Sequence, residues 1–312
     1  MAKKSIDIPE YEIPVDILSI LLKDRTTGKN IIWATNDYSN RGEDYTFYDE
    51  ITVECITGFN TKLVIPRVEK TKEEQRDRSR EKAEVFTPSW VCNAQNNLID
   101  EQWFERPNVF NVEHSDNQEH SWTPTTSIQE YPKGKTWKKY VKAQRLEMAC
   151  GEAPYLCSRY NASTGEFISD VNMRIGLLDR KMRIVKENAQ EQPSDPPAQW
   201  RNWSTLAFKS IYGFDYQGDS LFIARKTMLF TYIDYFIDRW GIHPNKTLLK
   251  TFAEIISWNL WQMDGFTLGI PGYEPKENTD VPELRYCHVM DWNMKYRGEG
   301  GEEIMFKSLI NK

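Results

Sequence analysis

"RLEMACGEAPYL" (145–156) decides how this chain is read. It reads as a buried strand that breaks into small residues and restarts as a helix at a proline. A strand of this kind delivers its end at the carboxyl edge of a sheet, where open α/β folds bind ligands. Ala149, Gly151 and Ala153 keep side chains out of the way, so the backbone can come close to a ligand. Pro154 suits the first position of a helix. Glu147 is placed to hold a ligand's amino group.

Further along, "YGFDYQGDSLFIAR" (212–225) ends a second strand at Asp215. An acid at that position of a βαβ unit can accept bonds from both ribose hydroxyls of a nucleoside. The residues after it, 220–241, form an amphipathic helix with Leu221, Ala224, Met228, Tyr232, Phe236 and Trp240 on one side, and Gly241 is placed to cap it. "KTLLKTFAEIISWNLWQMDG" (246–265) begins as a helix. Its last part continues the helix or becomes a strand, since Ile256, Trp258 and Leu260 also alternate. Strands alternating with helices from residue 140 onward predict an α/β sheet.

The flanks are less regular. Residues 1–68 read as a small α/β or β-rich lobe, with "DILSILL" a helix and "NIIWA" and "DEITVECITGF" strands. Residues 69–84 carry mixed charge and read as a solvated helix or connector before the main α/β domain, 85–312. The polar stretch 105–136 and "QEQPSDPPAQ" (190–199) read as loops, and "NASTGEF" as a hairpin or loop tip. "KGKTWKKYVKAQ" (133–144) is the one basic cluster interleaved with aromatics. Lys135, Lys138 and Lys139 there form either a solvated helix face or a contact to a DNA backbone.

The chain has 312 residues, enough for a sizeable core. Hydrophobic residues make up 39%, and 11 Trp, 15 Tyr and 14 Phe mean that aromatics carry much of that core. The net charge of −6 gives no global nucleic-acid footprint, so any DNA contact must be local or come from a partner. The five cysteines are odd in number and none is spaced CxxC, which predicts a reducing cytoplasm. The four histidines are too scattered for a metal site. No apolar run approaches the ~20 residues of a membrane span.

"AEVFTPSWV", "LEMACGEAPYL" and "YGFDYQGDSLFIAR" resemble three successive motifs of amino-group DNA methyltransferases, above all the adenine-N6 modification subunits of restriction–modification systems. The resemblance covers about residues 80–265. It implies a Rossmann-like sheet and S-adenosylmethionine as cofactor. Phe86, Thr87 and Pro88 would lie against the methionine part. Glu147, Ala149, Cys150 and Gly151 would form the loop under the cofactor, Asp215 would hold the ribose, and Asp264 would sit near the adenine amino group.

The chain departs from the family's pattern at Met148 and Ala153, where the family has proline and glycine. The family's catalytic element, (D/N/S)-P-P-(Y/F/W), has its nearest match in Asp195-Pro196-Pro197. Ala198 takes the aromatic position there, and the match falls between the cofactor elements. At the expected place the chain offers Asp291 and Trp292, an acid and a ring without the proline pair, against a plain reading as a turn acid and a buried tryptophan. Two functions follow. One is a DNA methyltransferase or modification subunit completed by a partner subunit or a second copy. The other is a catalytically degenerate scaffold or regulator that binds cofactor or nucleic acid, in phage defence or a mobile element.

Overall fold

The computed structural model describes residues 13–82, 87–116, 119–128, 130–189, 196–272, 286–292 and 300–310. In chain order the helices and strands are α1 (Val15–Leu21), α2 (Val53–Ile56), α3 (Lys72–Lys82), α4 (Ser89–Phe104), β1 (Asn111–Asp116), β2 (Glu119–Pro124), α5 (Trp137–Lys142) and β3 (Arg145–Met148). They continue as α6 (Leu177–Asn188), α7 (Pro196–Lys209), β4 (Ile211–Asp215), α8 (Gly218–Trp240), α9 (Lys246–Asn259), β5 (Leu260–Gln262), β6 (His288–Asp291), β7 (Glu302–Met305) and α10 (Lys307–Ile310).

The centre is a parallel sheet in the order β3-β4-β5, with Leu146 opposite Tyr212 and Gly213 opposite Leu260. Parallel neighbours need long crossovers. Here α6 and α7 make the first and α8 and α9 the second. The protein is therefore mixed α/β, a small three-stranded parallel sheet flanked by helices. Gly213 is glycine because a Cβ there would lie 2.9 Å from Leu260 and 3.2 Å from the Cys150 sulfur. The helix α8 runs as its periodicity predicts, with Leu221, Ala224, Met228 and Tyr232 fully buried, and Gly241 closes it in the left-handed conformation at φ 68°. The ambiguous end of 246–265 turns from helix to strand at Leu260.

Buried cations lock the strands in place. Lys181 on α6 is buried and donates to the carbonyls of Val141 and Ala143 and to Ser210 Oγ, so one side chain ties the starts of β3 and β4 together. Burial pulls its pKa well below the ordinary lysine value. Arg180, one residue earlier, pairs with the equally buried Asp100 of α4.

Several sequence expectations are corrected. No helix starts at Pro154; the chain turns through residues 149–157, and the next α-helix begins at Leu177. The strand before it is not buried, because Leu146 and Met148 are 44% and 72% exposed. The stretch "NIIWA" makes only isolated bridges, at Asn30 and Ile32. "DEITVECITGF" contains α2 instead of a strand, since the Thr52 side chain accepts from Cys55 N and starts a helical turn. So residues 13–68 are not β-rich, and their apolar side chains share one core with the rest. Within 105–136 lies the antiparallel hairpin β1–β2, Val112 opposite Thr123, exposed on both faces. Residues 190–195 lie outside the described residues, and Pro196, expected in a loop, is the first residue of α7. The charged run becomes α3. The tip expected at 161–167 is closed by a bridge between Tyr160 and Phe167.

No helix among the described residues is long and apolar enough to cross a membrane.

Candidate functional site

Immediately after β3 the backbone takes positive φ at every second residue: Ala149 at 52°, Gly151 at 52° and Ala153 at 63°. Left-handed geometry costs an alanine roughly 1–2 kcal/mol, and such strain concentrates where a loop is held for a purpose. Three contacts hold this one. Cys150 N donates to Phe214 O at 2.8 Å, Ala153 N to Cys150 O at 2.7 Å, and Gly151 N to Asp215 Oδ2 at 2.7 Å.

The loop floors a cavity of about 280 Å³, just below the usual small-molecule range of about 300–1,000 Å³. Thr87, Glu147, Ala149, Cys150 and Gly151 all line it. Glu152 and Tyr155 of the same loop also line it, and Arg67, Ser89 and Tyr160 are brought in from elsewhere. Most polar groups in this wall are already engaged. Glu152 accepts from Arg67 N at 2.6 Å and from the Tyr160 hydroxyl at 2.7 Å, and Ser89 Oγ accepts from Ala162 N at 2.9 Å.

Glu147 is only partly engaged: its Oε2 is shielded from solvent and has no hydrogen-bond partner among the described residues. Burial holds its carboxyl well above the ordinary range, and the nearby Asp215 charge adds to this, while the backbone amides of Tyr155 and Leu156 oppose it. Two thiols in the wall are inert, because burial raises Cys150 and Cys157 well above the ordinary cysteine value. Neither is a thiolate nucleophile at neutral pH.

Asp215 touches the loop without lining the cavity. Besides Gly151 N, it accepts from Gln217 N at 3.0 Å through Oδ1, so it braces the turn between β4 and α8. Pro88 starts α4, its carbonyl accepting from Val91 N and Cys92 N. Phe86 lies outside the described residues. Asp264 folds into a turn after β5, accepting from Phe266 N at 2.7 Å, and is not part of the cavity wall.

The remaining predicted residues lie elsewhere. Asp291 is exposed at the end of β6 and lines a different cavity, about 210 Å³, with Tyr212, Trp261 and Phe306. Trp292 is buried; its Nε1 donates to Asn259 Oδ1 at 2.6 Å, and Lys209 Nζ stands 4.3 Å from its ring centre. That is core packing, with no ring face offered to a flipped base. Lys135, Lys138 and Lys139 lie on and beside α5, which precedes β3, so they sit at the amino end of the strand whose carboxyl end makes the cavity. Lys135 pairs with Glu105 at 3.0 Å, Lys138 stands 5.6 Å from both the Trp137 and Trp203 ring centres, and Lys139 donates to Gly134 O. Among the described residues no group of His, Cys, Asp and Glu is arranged to hold a metal.

Sequence reading gave no role to Glu152 and Tyr155, although both lie in the quoted stretch 145–156, and it missed Arg67 and Tyr160, which no local pattern connects to the loop. Comparison of the chain with protein-family models, with curated proteins and with solved structures finds no match.

Proposed function

We propose that the cavity at the carboxyl end of β3 binds S-adenosylmethionine, and that the chain is a cofactor-binding module of the amino-group DNA methyltransferase type. The three parallel strands are then one half of a Rossmann-like sheet. The observation that carries this reading is that Glu147, a residue of the cavity wall, holds a buried oxygen with no hydrogen-bond partner among the described residues. A buried carboxylate oxygen without a donor is costly, and a ligand ammonium removes that cost. Thr87 and Gly151 line the same cavity, which leaves space for the rest of the ligand. When bound, the cofactor supplies a methyl group on a sulfonium for transfer to an amine; this chain's residues bind and orient it.

Two results are expected from calorimetry with S-adenosylmethionine. Glu147→Gln weakens binding by about 10- to 100-fold, the value of a charge-assisted hydrogen bond. Unchanged affinity would remove the reading. The second result concerns pH. A ligand ammonium needs Glu147 ionised, and burial holds its proton on above the ordinary carboxylate range. Affinity for the wild-type protein therefore rises with pH as the raised Glu147 carboxyl ionises, and this rise is missing in Glu147→Gln. In the ligand-free protein the same shift has the opposite consequence. As pH rises above the ordinary glutamate value the unfolded chain releases this proton first, so the folded state loses stability.

One observation favours a second reading, a degenerate module that binds cofactor without transferring methyl. Asp291 faces another cavity and Trp292 is locked in the core. Tritiated methyl transfer to DNA separates the two: incorporation supports the enzyme, and tight binding without incorporation supports the degenerate module.

A further inference from the structure

The helix α3 is held to the protein by polar contacts. Its sequence, KEEQRDRSREK, has no apolar residue, and within 72–80 only Arg78 is buried and only Gln75 half-buried. By contrast, α9 buries Leu249, Phe252, Ala253, Ile255 and Ile256. A helix of 11 residues is marginal on its own in water, and one that is polar all round gains nothing from a core. The order of α3 therefore comes from its polar contacts with the body of the protein. Arg78 reaches inward and donates to Asp37 at 2.9 Å, to the fully buried Asp219 at 2.8 Å and to Gln217 at 2.6 Å. Gln75 Nε2 donates to the carbonyls of Arg67 at 3.0 Å and Lys70 at 2.9 Å. Arg67 returns the contact, donating to Gln75 O at 3.1 Å and Ser79 Oγ at 2.7 Å.

Contacts of this kind bind weakly against solvent. A buried arginine–aspartate pair gives back in desolvation most of what it gains in attraction. Each hydrogen bond is exchanged for one to water on release. Undocking α3 exposes no apolar side chain of its own. Asp219 keeps the bond from the Tyr38 hydroxyl at 2.8 Å and the Lys70 ammonium at 3.7 Å, both from the body. We propose that α3 is an ionic latch, which undocks and unfolds as one unit while the core stays folded. Glu74, Asp77 and Arg78 of α3 line a cavity of about 420 Å³ together with Asp37, Tyr38 and Lys70 of the body, so undocking opens that space. It also frees the side chain of Arg67, whose backbone N–H holds Glu152 in the wall of the Glu147 cavity. Through that one residue the latch reaches the ligand cavity, whatever ligand fills it.

Amide hydrogen exchange of the full chain, read by mass spectrometry of overlapping peptides, tests this. Residues 75–80 are expected to exchange together, at least about 100-fold faster than the buried turns of α8. Gln75→Ala removes two bonds and no charge, so it speeds exchange across 75–80 about tenfold and leaves α8 unchanged. Arg78→Gln removes the protection of α3 while α8 keeps its own. Wild-type α3 as strongly protected as α8 overturns the proposal. So does exchange graded from the ends of α3 and unmoved by Gln75→Ala, or a folded Arg78→Gln protein whose α3 stays protected. Where Arg78→Gln leaves Asp219 without its guanidinium and the chain fails to fold, the wild-type and Gln75→Ala results decide alone.

Discussion

Replacing Arg225 with methionine is expected to cost about 4–6 kcal/mol of unfolding free energy, read from urea denaturation. This arginine is fully buried on α8. All five of its N–H donors can be placed: Nε to Leu260 O at 2.9 Å, Nη1 to Leu21 O at 2.6 Å and Lys23 O at 2.9 Å, and Nη2 to Leu260 O at 2.6 Å and Ser257 O at 3.3 Å. No carboxylate forms an ion pair with it among the described residues. Burial lowers its pKa to about 9, with Asp24 opposing from a distance, so it stays charged at neutral pH. Methionine fills much the same volume but donates nothing. The carbonyls of Leu21, Lys23 and Leu260 lose their donor, at roughly 1–3 kcal/mol each, and removing a desolvated charge returns part of that. Against a total stability of about 5–15 kcal/mol, the variant sits at the edge of folding. Lysine, with three donors for five contacts, is expected to fall between. A loss under about 1 kcal/mol would mean the clamp does not hold the N-terminal segment, since normal core swaps of this size already cost that much.

Arg225 also marks where sequence reading stops. The helix that carries it was legible, because apolar residues recur along 220–240 at helical spacing and a glycine follows. So was the strand ending at Asp215. That one polar residue in the helix would bind five carbonyl contacts was not, since its partners sit at residues 21–23 and 257–260 and only the fold assembles them. The same holds at the end of α9. Alternation at Ile256, Trp258 and Leu260 fits strand or helix, and the choice is made by Asn259, which donates to Phe208 O and Ile211 O and accepts from Trp292. The hairpin β1–β2 gave no signal because it is mostly exposed and mostly polar, with Val112 and Trp122 too few to set an alternation. The loop after β3 was legible as small residues, yet two of its three left-handed residues are alanines, which nothing in a sequence distinguishes from ordinary ones. Of the site itself, Thr87, Glu147 and Gly151 converge on one cavity. Asp264, Asp291 and Trp292 do not, because each is fixed by turns or core contacts beyond the parallel sheet.

Gly218→Ala is expected to lose about 3–5 kcal/mol, although helix propensity alone predicts a gain of up to about 1 kcal/mol at a helical glycine. The sign is decided by where the methyl would go. A Cβ on Gly218 would lie 1.9 Å from the Ile32 carbonyl oxygen and 2.9 Å from its carbon. A backbone carbonyl cannot rotate aside as a side-chain tip can, so the segment carrying Ile32 must move by more than an ångström. That segment is held on three sides. Gly218 N donates to Trp33 O at 3.0 Å, Gln262 Oε1 accepts from Ile32 N at 2.9 Å, and Gln262 Nε2 donates to Ile32 O at 2.9 Å. Displacing Ile32 breaks all three, and an unmade buried bond costs about 1–3 kcal/mol. Gly241→Ala at the other end of the same helix is the control. Its Cβ meets nothing within 4 Å, so it bears only the left-handed backbone cost of about 1–2 kcal/mol. Thermal melts of the pair should therefore separate clearly, with Gly218→Ala far the lower. Limited proteolysis should then cut the Gly218→Ala protein within residues 22–50 before anywhere in α8. If instead the two variants melt together, the close approach of Ile32 to α8 is not part of the folded protein, and the N-terminal segment is no integral layer of its core.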